Sequence, residues 1–243
     1  MPSGVPSVMG EAQTGPFGAG PVTSQPKMDT GGGMSGMLGQ LLKDLPKMME
    51  KDNTGGSGLY KAAYSLIPGL DNHTIYAPKT LPENVKLPVI VWANGACSGD
   101  STGFSKFLTE IASHGYYIVV NGKPGAGMGS STKATDLVDA IDWVYANAGK
   151  GALATVDKSQ LAAVGQSCGG IQAYSASLDP RVTLTGIFNS GLISQGNTKL
   201  FEKLHAPIGY FLGGPTDIAY LNVSVLFIPS QFCRLRNANI VEI

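Results

Sequence analysis

The stretch "QLAAVGQSCGGIQAYSASL", residues 160–178, decides the fold. Its first half is a short apolar run that stops at Gly165, and its second half resumes as a helix-forming segment after Gly170. A run of this kind reads as a strand covered on both faces. The segment therefore reads strand, tight turn, helix, with Ser167 at the turn. Glycine at 165 and 169 leaves room for that turn and for close packing of helix on strand. A serine hydroxyl is a poor nucleophile unless it is exposed at such a turn beside a base, which is the context of the Gly-x-Ser-x-Gly motif. The N–H of Cys168, at the start of the helix, points to where an oxyanion would form.

The same alternation continues outward. "LPVIVWAN" (87–94) is a second buried strand, ending at Gly95, and "YYIVVNG" (116–122) is a third. Between them "TGFSKFLTEIASHG" (102–115) places Phe104, Phe107, Leu108 and Ile111 on one helical face. "STKATDLVDAIDWVYANAG" (131–149) is another helix, with Ala134, Leu137, Val138, Ile141 and Tyr145 on its apolar side. "LYKAAYSLI" (59–67) and "HTIYAPK" (73–79) read as strands before them, and "VTLTGIFNSG" (182–191) and "APIGYFLGG" (206–214) as strands after. Strands alternating with helices at this spacing predict an α/β architecture: a doubly wound, mostly parallel sheet joined by right-handed crossovers. The loop "WANGACSGD" (92–100) follows a central strand, where a second oxyanion donor belongs, and either Ala96 or Cys97 could offer its N–H.

Composition narrows the function. The 17 basic and 17 acidic side chains cancel, and no basic stripe stands out to attract nucleic acid or anionic lipid. The longest apolar runs are about eight residues, against the roughly 20 that a membrane-spanning helix needs. The 243 residues, 43% apolar, suffice for one full-sized core. Residues 1–33, rich in Gly, Pro, Ser and Thr, read as a disordered leader without a secretory signal pattern. Residues 34–57 read as an amphipathic helix with a methionine-rich face, interrupted near Pro46, followed by the flexible joint "NTGGSG" (53–58). The compact domain is expected over 58–220. Cys97, Cys168 and Cys233 are too few for a disulfide scaffold. Cys97 and Cys168 sit on loops that meet at the proposed oxyanion hole, and could be bridged or be two separate thiols. The sequon Asn72-His73-Thr74 fits an extracellular protein.

The motifs "PVIVWANGACSG", "FLTEIASHGYYIVV", "LAAVGQSCGG" and "HAPIGYFLGGPTD" together resemble the α/β-hydrolase superfamily, in the branch of dienelactone-hydrolase-like, chlorophyllase-like and cutinase-like esterases, and especially a group of fungal secreted hydrolases. The resemblance implies an extracellular serine hydrolase of small-molecule or polymer esters, without metal or organic cofactor. It places the nucleophile at Ser167 and the triad acid at Asp217. A dienelactone hydrolase proper would carry cysteine at the elbow.

The order of the superfamily then requires a histidine after the acid, and the sequence has none there. His73 lies in an early strand, His114 at a helix end and His205 before the strand leading to Asp217. Residues 221–243 look foreign to the family and are expected to hold neither the final strand nor the final helix. The codons open to Val223-Ser224, Asn237-Ala238-Asn239 and Val241-Glu242 admit splice donor, branch and acceptor signals in order, the pattern of a retained intron; truncation is the rival explanation. The function expected is a serine-dependent ester hydrolase crippled by the missing base, and the alternative is a hydrolase-fold pseudoenzyme that binds a ligand or partner.

Overall fold

The computed structural model describes residues 54–67, 69–127, 129–191, 200, 203–213, 217 and 219, and the backbone of 239–242. The leader expected over 1–33 and the helix expected over 34–49 lie outside the described residues, as do 221–238. Eight strands form one mixed sheet: β1 (Ala62–Ser65), β2 (His73–Pro78), β3 (Leu87–Ala93), β4 (Tyr117–Asn121), β5 (Val156–Gln166), β6 (Leu184–Phe188), β7 (Ile208–Leu212) and β8 (Asn239–Glu242). Among the described residues three α-helices accompany them: α1 (Ser105–Ser113), α2 (Ala134–Asn147) and α3 (Cys168–Ala176).

The strand order is β1-β2-β4-β3-β5-β6-β7-β8. β3 to β8 run parallel, and β1 and β2 are antiparallel at one edge. The links from β1 to β2 and from β2 to β3, residues 66–72 and 79–86, are too short for a helical crossover: the first joins neighbouring antiparallel strands, and the second carries the chain past the place of β4 to β3.

Alternation along the parallel strands builds two cores. Val89 and Val91 of β3, Val119 of β4, Leu161 and Ala163 of β5 and Ile187 of β6 face α2 and α3, packing on Leu137, Ile141, Val144 and Tyr174. Trp92, Ile118, Val120, Ala162 and Val164 face the other way, onto Leu108 and Ala112 of α1. Among the described residues the sheet is thus covered on both faces, but unequally. Beside α1, an open groove of about 730 Å3 runs along β3, β5, β6 and β7, lined by Ile90, Trp92, Val164, Gly186, Phe188 and Phe211 among others.

The tail departs from expectation. Residues 221–243 are expected to hold neither the final strand nor the final helix, yet Asn239–Glu242 pairs in parallel with β7, Ile240 opposite Tyr210 and Val241 opposite Phe211. The edge of β7 offers unpaired backbone groups, and a β-branched pair is enough to add a short strand there. Residues 54–58, the described part of the expected joint 53–58, and Tyr60 after them lie tied to the end of α1. Gly58 N–H donates to Ser113 Oγ at 2.9 Å, Tyr60 N–H to the Ser113 carbonyl at 2.9 Å and Ser57 N–H to Glu110 at 2.8 Å. The glycines permit the approach, since a Cβ on Gly58 would stand 2.3 Å from the Ser113 carbonyl oxygen.

Candidate active site

Ser167 occupies the single residue between β5 and α3 with φ 52° and ψ −118°. A positive φ is rare outside glycine and costs of order 1–3 kcal/mol, so it persists only where neighbours over-determine it. Here they do. The Ser167 N–H donates to the Phe188 carbonyl at 2.9 Å, and its own carbonyl accepts from Ser190 Oγ at 2.7 Å. A Cβ on Gly165 would lie 2.2 Å from the Gly169 carbonyl oxygen, and one on Gly170 2.5 Å from Ser190 Cβ. All three glycines of "GQSCGG" are therefore sterically required, the third unrecognised from sequence. Cys168 is the first residue of α3. Its N–H has no acceptor inside the helix and lies at the positive end of the helix dipole.

Across from it, β3 ends at Ala93 and the chain makes a short 3-10 turn, Gly95–Cys97. Ala96 and Cys97 both take left-handed backbone, φ 54° and 49°. Asn94, buried, organises this loop: its Oδ1 accepts from Trp92 Nε1 at 3.0 Å, and its Nδ2 donates to the carbonyls of Ser98, Asp100 and Asn121 at 3.2–3.3 Å. The sequence left Cys97 and Cys168 either bridged or separate; they form a disulfide, Cα–Cα 5.1 Å. The two candidate oxyanion segments are thus covalently joined.

Asp217 stands at the same edge of the sheet. Gln166, Phe188 and Phe211 are in register across β5, β6 and β7. Asn189, just past β6, takes φ 43° and donates from Nδ2 to Asp217 Oδ2 at 2.7 Å. Gly213 N–H donates to the same oxygen and Ala219 N–H to Oδ1, both at 2.9 Å. Burial alone would raise the Asp217 pKa, but the hydrogen bonds from Asn189, Ala219 and Gly213 outweigh it, and the carboxyl is held below the ordinary carboxylate value. Two strand spacings, about 10 Å, separate the ends of β5 and β7.

None of the three histidines is bonded to Ser167 or Asp217. His73 is buried with its ring nitrogens on the carbonyls of Asp71 and Asp136, 2.9 and 2.8 Å away. His114 is the C-terminal cap of α1 and pairs with Glu110 at 3.0 Å. His205 reaches the Val182 carbonyl at 3.0 Å.

Sequence reading missed the polar residues that set this edge. Asn94 and Asn189 are isolated polar positions without period. The buried chain linking Asn121, Gln172 and Thr132 behind the Gly95–Cys97 turn is equally aperiodic: Asn121 Nδ2 donates to Gln172 Oε1 at 3.0 Å, and Gln172 Nε2 to the Thr132 carbonyl at 2.8 Å. The one available signal was asparagine directly after an apolar strand, a residue that tolerates left-handed backbone. Among the described residues no cluster of His, Cys, Asp and Glu could hold a metal ion, and no helix is long and apolar enough to cross a membrane. Compared with known proteins, the chain matches no family model and no curated protein.

Proposed function

We propose that this edge is the site of a serine-dependent carboxylic-ester hydrolase of α/β-hydrolase type, acting on small-molecule or polymer esters. The observation that carries the reading is the backbone of Ser167, φ 52° between a buried parallel strand and a helix N-terminus. In the proposed reaction Ser167 Oγ attacks the ester carbonyl carbon, and the carbonyl oxygen becomes an oxyanion. The N–H of Cys168 and that of Ala96 or Cys97 receive the charge, needing no reorganisation as it develops. Asp217 stands where the acid that orients a base belongs.

The base is the weak member. With every histidine engaged elsewhere, the serine proton passes to water. What remains is acceleration by the oxyanion hole and binding, roughly 10³–10⁴ over water by analogy with triad knockouts. This engagement of the histidines also favours the second reading, a hydrolase-fold protein that binds its ligand without turnover.

The test is hydrolysis of p-nitrophenyl butyrate by the full chain and by Ser167→Ala, each with and without added imidazole. Ser167-dependent turnover that rises with imidazole supports the hydrolase reading, because a diffusible base can replace a missing one. Equal rates for both proteins at every imidazole concentration favour the binding protein.

A further inference from the structure

The proposed oxyanion hole is assembled from segments 71 residues apart, the turn at Gly95–Cys97 and the start of α3. Among the described residues the turn is held at three places, apart from the Ser98 N–H bond to its own Gly95 carbonyl and the pairing of Ser98 and Gly99 with residues 130 and 131. Asn94 grips the carbonyls of Ser98 and Asp100. Thr132 N–H donates to the Cys97 carbonyl at 2.8 Å, and Thr132 is itself held by Gln172 of α3. Both of these ties act at the Cys97 carbonyl or beyond it, and the second meets α3 one turn past its first residue. The third tie is the bond between Cys97 and Cys168, which joins the turn to the residue whose N–H is the other donor. Ala96, at the tip, is exposed, and Ala96 and Cys97 keep left-handed backbone that only their surroundings enforce.

We propose that the Cys97–Cys168 disulfide is the clasp that sets the oxyanion hole, so that both cysteines are positioning residues and a dithiol reductant turns the site down by opening it. The inference rests on the ester-hydrolase reading of Ser167. Both cysteines are half-buried and not sealed, so a small thiolate can reach them. The thiolate attacks one sulfur and the other leaves as thiolate. The second thiol of the reductant then displaces the protein from the mixed disulfide. Two electrons pass from the dithiol, which ends as a cyclic disulfide, to Cys97 and Cys168, which end as thiols. With the clasp open, Ala96 and Cys97 relax toward negative φ and carry their N–H groups away from the oxyanion. Ser167 keeps its own geometry, enforced by Gly165, Gly170 and Ser190. Transition-state stabilisation falls while substrate binding stays, so kcat drops and KM holds.

The experiment uses the full chain carrying Cys233→Ser, so that Cys97 and Cys168 are the only thiols. Hydrolysis of p-nitrophenyl butyrate in imidazole buffer and backbone hydrogen exchange are measured before and after dithiothreitol, and again after reoxidation; thiol titration verifies each state and circular dichroism the fold. The expected result is a kcat lower by at least about tenfold with KM unchanged, against the roughly 10²–10³ of outright donor loss. Exchange should rise at 95–98 and not in β3 or β5, and both changes should reverse on reoxidation. Unchanged kcat and exchange in verified reduced protein overturn the clasp. If the oxidised protein has no Ser167-dependent turnover, the hydrolase reading fails and the exchange comparison alone decides the clasp: a reversible rise confined to 95–98 supports it, and no rise overturns it.

Discussion

A Cβ placed on Gly169 would stand 2.1 Å from the carbonyl oxygen of Ala93, closer than any real Cβ contact. The contact joins the first turn of α3 to the end of β3, and the obstacle is backbone, which cannot swing aside as a side chain would. Gly169→Ala must therefore push α3 off the sheet. Overpacking of this kind costs about 1–3 kcal/mol or more, and chemical denaturation should register at least that loss. A variant as stable as the parent would mean that α3 does not sit so close to β3. Gly103→Ala is the control, because the nearest atom to a Cβ there is 3.9 Å away.

Asn94 makes a second prediction. Its amide donates to three carbonyls and its oxygen takes the Trp92 indole N–H. Asn94→Ala leaves those groups buried without partners, each such loss costing about 1–3 kcal/mol. Asn94→Asp should be worse than Asn94→Ala at neutral pH, because a carboxylate cannot donate and would face the same carbonyl oxygens. Thermal unfolding of the two variants gives the order directly, and equal or reversed stability would contradict it.

Acid should weaken the carboxyl edge of the sheet through Asp217. Its pKa is lowered on folding: burial raises it, but hydrogen bonds from Asn189, Ala219 and Gly213 prevail. A depressed folded-state pKa contributes stability above the unfolded value, about 3.9 for aspartate, and that contribution is lost as pH falls through the lower folded value. Asp100 behaves alike, with burial opposed by hydrogen bonds from Thr102 and Gly125. The melting temperature of the parent should thus fall below about pH 4, and Asp217→Asn, which cannot ionise, should show a shallower fall. Parallel pH profiles for the two proteins would show that the Asp217 carboxylate adds nothing to stability.

The parallel centre of the fold was legible because it is buried on both faces, and continuous apolar runs such as Val89 to Trp92 and Leu161 to Val164 are the direct signature of that burial. The tight turn at Ser167 was legible because glycine on both sides of a serine has a steric reason, seen in the contacts of Gly165 and Gly169. The edge strand β8 was not, since Ile240 and Val241 are the only apolar pair in it and an edge partner needs little more. Nor was the packing of residues 54–58, where Gly56 and Gly58 serve close approach to Ser113 and not freedom of the chain. The pairing of Cys97 with Cys168 depends on where two loops end in space, which spacing alone does not fix.

The open groove beside α1 yields the last prediction. Its floor carries Phe188 stacked on Phe211, centroids 4.2 Å apart, with Trp92 5.7 Å from Phe188. Its rim includes Leu184, 45% exposed, at the start of β6. An exposed apolar strip of this kind favours self-association. Leu184→Lys puts a charge on the rim while its aliphatic stem still covers the floor. It should leave the melting temperature within a few degrees, lower the binding of a hydrophobic dye, and shift sedimentation toward the monomer. Unchanged dye binding and sedimentation would mean that the strip beside Leu184 does not mediate association.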